Sequence, residues 1–75
     1  MVMITPHPHA ETWIARIFAA KAAEGQVIRR KINWIDREVG RARFMSEVRR
    51  RDFHLLQTAD QFIIVCHSGP VHMHF

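Results

Sequence analysis

Six histidines, one cysteine and nine arginines are the side chains of this chain whose chemistry depends on spacing. His72 and His74 flank Met73, so on a strand both project from one face, a spacing that chelates a divalent ion such as zinc. His54, Cys66 and His67 are the further ligands such a site would recruit from neighbouring strands, and His7 and His9 repeat the pattern around Pro8. No carboxylate or second cysteine stands at a diagnostic spacing, so the main expectation is no cofactor, with zinc as the alternative. Cys66 and His67 are adjacent, which on a strand sends them to opposite faces and separates a nucleophile from its base. Neither a glycine-rich phosphate loop nor Ser-x-x-Lys is present. No catalytic constellation is expected.

Charge offers a different chemistry. Eleven Lys and Arg against seven Asp and Glu leave a formal +4. The cations concentrate between Arg29 and Arg51, while nothing after Arg51 is Lys or Arg. Arginine matches planar anions such as phosphate and carboxylate, which points to RNA, DNA or an acidic protein as partner. Arg29, Lys31, Arg43 and Arg50 are the expected anion-binding residues. A solvated surface also accounts for a charge of this size.

These residues must be positioned by secondary structure. The uninterrupted apolar run at 61–66, bounded by Ala59-Asp60 and Ser68-Gly69-Pro70, predicts a strand buried on both faces in the middle of a sheet. Residues 53–57 and 71–75 are expected beside it as antiparallel neighbours, and a two-sided central strand points to a homodimer. Residues 26–32 alternate, with Ile28 and Ile32 on one face and Val27, Arg29 and Lys31 on the other, which predicts a short strand.

Trp13, Ile14, Ile17, Phe18 and Lys21 recur at helical spacing after Thr5-Pro6-His7-Pro8, predicting an amphipathic helix of about four turns that Gly25 ends. A second helix is expected from Trp34 to Arg51, with Asn33 and Asp36 as its capping pair and Ile35, Val39, Ala42, Met45 and Val48 as its apolar face. Gly40 inside it costs about 1 kcal/mol relative to alanine and calls for a reason such as close packing. Glu47 and Arg51 form an i,i+4 pair. The stretch from Ile35 to Arg41 also fits the first helix and turn of a helix-turn-helix. Arg41, Ser46 and Arg49 then fall where its second helix needs apolar residues, which favours one continuous helix.

The expectation is a single α+β domain over residues 1–75: two helices on a mostly antiparallel four-stranded sheet, in the order α-β-α-β-β-β. A domain this small buries only roughly 60–65% of its unfolded surface, which favours a surface groove or subunit interface over an internal cavity. No apolar stretch approaches a membrane span, the N-terminus lacks a signal-peptide layout, and one cysteine suits a reducing compartment. A cytoplasmic protein without membrane partners is expected.

Two resemblances add to this reading. Arg49-Arg50-Arg51-Asp52, followed by Phe53-His54-Leu55-Leu56-Gln57 and a return strand, resembles the Hic-type mRNA interferase toxins over roughly the last 30 residues. That resemblance implies a double-stranded-RNA-binding-like fold and RNA contact; Gln61 and Phe62 stand where those toxins place a catalytic histidine. The stretches Gly25-Gln26-Val27-Ile28-Arg29-Arg30, Glu38-Val39-Gly40-Arg41 and Glu47-Val48-Arg49-Arg50-Arg51-Asp52-Phe53-His54-Leu55 resemble a family of short bacterial proteins often labelled phosphoribosylanthranilate isomerase. That enzyme is a (β/α)8 barrel of at least about 200 residues, which this chain cannot build.

The sequence therefore leads to a small basic interaction module binding nucleic acid or an acidic partner through an arginine-rich face. The alternative is a metal- or small-ligand-binding homodimer that uses its strand histidines.

Overall fold

The protein is α+β. A computed structural model describes residues 7–19 and 25–75. Among them the order is α1 (Ala10–Phe18), β1 (Val27–Lys31), α2 (Ile32–Glu38), α3 (Arg41–Arg50), β2 (His54–Gln57) and β3 (Gln61–Val65). The Thr5 cap and the segment from Ala20 through Lys21 to Glu24 lie outside the described residues.

β3 holds the centre of the sheet, as its apolar run predicts. Its neighbours differ from expectation. Among the described residues the sheet has three strands in the order β1-β3-β2, all antiparallel. β1 runs from Val27 opposite Val65 to Lys31 opposite Gln61, and β2 runs from His54 opposite Val65 to Gln57 opposite Phe62. Residues 71–75 form no strand; β1 occupies the place proposed for them, so the described residues build a sheet of three strands and not four. The hairpin is closed locally: the Gln61 amide donates to Thr58 Oγ1 at 3.0 Å, and the Thr58 amide donates to the Gln61 carbonyl at 2.9 Å.

Pleating gives each strand two faces. Ile28, Phe62, Ile64 and Cys66 point to one side and are at most 2% exposed. The helices cover that side with Ile14, Ile17 and Phe18 from α1, Ile32 and Ile35 from α2, and Phe44 and Val48 from α3. Phe44 is the keystone, its ring stacked 5.5 Å from Phe62 and 6.2 Å from Phe18. The other side carries Ile63 and Val65 half-buried and Val27 and Leu56 exposed. Among the described residues of one chain, the helices cover one face of β3, and Ile63 and Val65 on the other stay half-buried.

The expected continuous helix from Trp34 to Arg51 is two helices broken at Gly40. Its φ of 89° is a backbone value that L side chains rarely adopt. The amides of Val39 and Gly40 both fold back to the Ile35 carbonyl, at 2.9 and 2.8 Å, ending α2. A Cβ on Gly40 would lie 3.1 Å from Cε1 of His7, whose Nε2 donates to the Asp36 carbonyl at 3.0 Å. Close packing and a turn both explain this glycine. The break rotates the helical phase, so Phe44 turns inward while Ala42 and Met45 are exposed. Asn33 and Asp36 do not cap: α2 begins at Ile32, and Asp36 instead binds Arg41 at 2.8 Å.

α3 ends in a Schellman turn. The Phe53 amide donates to the Val48 carbonyl at 3.1 Å and the Asp52 amide to the Arg49 carbonyl at 3.0 Å, with Asp52 at φ 59° in the left-handed region. This turn delivers the chain directly into β2.

Candidate functional site

Helical spacing places Arg43, Arg50 and Arg51 around Glu47, at i−4, i+3 and i+4. All three reach it, with nitrogen–oxygen distances of 3.0, 2.5 and 2.6 Å. Glu47 is 2% exposed, the one buried charged residue among those described. Its partners are 29–67% exposed, so much of its cover comes from the guanidinium side chains above it. The hydrogen bond from Arg50 acts first in holding the Glu47 carboxyl down to about 2; burial opposes it, and Arg51 and Arg43 add to it. Arg43 also forms a fork on Glu11 of α1, with both nitrogen–oxygen distances 2.7 Å. Its pKa is raised, first by Glu11 and then by Glu47, while the bond from Arg43 lowers the Glu11 carboxyl. The Glu47–Arg51 pair read from spacing is present. The Glu11–Arg43 tie, spanning 32 positions, had no local signal.

This cluster changes the meaning of the helical arginines. Arg43 and Arg50 are bound to carboxylates of their own chain, and Arg41 is likewise committed to Asp36. Arg29 and Lys31 lie elsewhere. They alternate with Ile28 along β1 and so stand with Val27 on the open face, opposite Ile63 and Gln61 of β3. α3 packs against the other face. The structure therefore does not bring the four proposed anion-binding residues into one patch. Among the described residues, Arg29, Arg30 and Lys31 form no ion pair; Arg30 points to the helix side and donates to the Arg29 carbonyl at 2.6 Å.

The histidines are separated too. His72 and His74 are exposed in the segment after β3, outside any strand. Among the described residues no group of three His, Cys, Asp or Glu side chains is placed to hold a metal. His54 and His67 do meet, their rings 5.7 Å apart, and His54 Nε2 donates to the Gly69 carbonyl. Cys66 is buried, and burial pushes its thiol upward, so it packs as a small apolar group.

One surface groove, of about 260 Å³, lies where α3 meets β2, lined by Met45, Val48, Arg49, Asp52, Phe53 and Leu55. Sequence reading assigned Met45 to the core and so missed it. No helix among the described residues is long and apolar enough to cross a membrane. No protein-family model matches the chain, and neither a curated protein nor a solved structure is significantly similar to it.

Proposed function

We propose that this protein is a small interaction module that captures nucleic acid on the basic edge of its open sheet face. The observation that supports this reading is the partition of the cations. Glu11 of α1 and Glu47 of α3 neutralise Arg43 and Arg50, whereas the exposed Arg29 and Lys31 have no acidic partner among the described residues. Two neighbouring cations on one face of an edge strand can contact about two phosphates. That corresponds to a log–log salt slope of roughly −2 and little sequence preference. The histidine reading has less support, since His72 and His74 meet no third ligand among the described residues.

The test is fluorescence polarisation with labelled single- and double-stranded oligonucleotides across a salt series. Binding is expected at about 50 mM salt and should fade toward physiological ionic strength. Arg29→Glu with Lys31→Glu should abolish it at unchanged melting temperature. Silence of the wild-type chain toward both RNA and DNA at low salt overturns the reading and makes an acidic protein the partner to seek.

A further inference from the structure

We propose that residues 71–75 of one copy dock as an added strand along β2 of a second copy, with Phe75 or Met73 seated in the groove between α3 and β2. Val71, Met73 and Phe75 alternate with His72 and His74, the period of a strand that buries one face. In the single chain they are 46, 81 and 112% exposed. β2 ends the β1-β3-β2 sheet, so among the described residues no strand lies beside its outer backbone groups. Five extended residues span at most about 17 Å, enough to run the length of the four-residue β2.

Three observations select a second copy of this chain as the occupant. Six large apolar residues are exposed among those described, and four of them (Met45, Val71, Met73 and Phe75) belong to this segment or to the groove. The donor and the acceptor of the contact are thus two exposed apolar surfaces of one molecule. Asp60 is the sole Asp, Glu, Lys or Arg from Phe53 to Phe75. Two copies that each carry +4 meet least repulsion along this region. The Gly69 carbonyl is held by His54 at the start of β2, so the segment leaves the domain beside the edge it would pair with in a partner. A two-fold arrangement makes the exchange reciprocal, so every tail and groove is used. Strand addition then supplies backbone hydrogen bonds, and the groove supplies selectivity for alternate side chains.

The experiment compares three versions of the 75-residue chain by sedimentation equilibrium over a concentration series. The wild type should give twice the 8.8 kDa of one chain at high concentration. Met73→Asp with Phe75→Asp should give the single-chain mass, as should Met45→Glu in the groove, because all three residues are exposed and the domain should stay folded. Backbone amide exchange on β2 supplies a second readout in the unmutated protein: protection should rise with concentration, in step with mass. A monomeric wild type at every concentration overturns the proposal, as does a dimer that survives both variants. Concentration-independent protection of β2 in a monomer also overturns it, since the segment would then close on its own edge.

Discussion

Arg51 grips Glu47 through Nε at 2.6 Å while its guanidinium lies 4.7 Å above the ring of Phe18, so one side chain joins the buried carboxylate to α1. Arg43 makes the same connection by a second route, through Glu11. The acid on α3 thus organises the arginines instead of merely offsetting their charge.

Glu47→Gln should destabilise the fold by about 1–3 kcal/mol, since it removes charge from four hydrogen bonds made by three arginines, while the exposed arginines can turn to water. The pH dependence has a definite sign. A carboxylate lowered from 4.5 to about 2 contributes stability that is complete above pH 4.5 and is lost as pH falls toward 2. Chemical denaturation between pH 5 and 2 should show this loss, and Glu47→Gln should flatten it. Arg43→Glu would set a third acid between Glu11 and Glu47, so that substitution tests the fold and cannot serve as a neutral probe of binding.

Gly40→Ala should lower stability by about 1–3 kcal/mol, because alanine must adopt φ 89° and its methyl meets the His7 ring. Differential scanning calorimetry should record a drop of several degrees for a domain of this size. Adding His7→Ala relieves the contact but not the dihedral, so only part of the loss should return. Full recovery would show that crowding alone holds glycine there.

Ile64→Asp should leave the chain unfolded at room temperature. Ile64 is 0% exposed on the central strand, and an aspartate there meets the aromatic cluster with no partner for its charge. Far-UV circular dichroism decides the matter: a native spectrum with a wild-type melting curve would remove β3 from the centre of the sheet.

Local physics made some of this legible in the sequence. The apolar run at 61–66 identified the central strand because β-branched residues in unbroken succession suit a sheet interior. Alternation placed Arg29 and Lys31 on the face opposite Ile28. What stayed hidden was non-local. The pairing of Val27 with Val65 leaves no mark on either segment, so the nearer residues 71–75 looked like the natural neighbour. Gly40 was noticed as costly in a helix, but its positive φ, which resets the phase and turns Phe44 inward, was not predictable from composition. Arginine counts likewise report charge without revealing that Glu11 or Glu47 lies opposite.

The edge-to-face pair of Trp13 and Trp34, 4.9 Å between centroids, makes the molecule its own optical reporter. The chain holds two tryptophans and no tyrosine, and both indoles sit where α1 meets α2. Tryptophan emission therefore originates at one helix–helix seam, with the Arg16 guanidinium 5.4 Å from the Trp13 ring, while the sheet holds no tryptophan. A fluorescence-monitored transition that precedes the far-UV one would register α1 peeling from an intact sheet; coincident curves would mark a single cooperative unit.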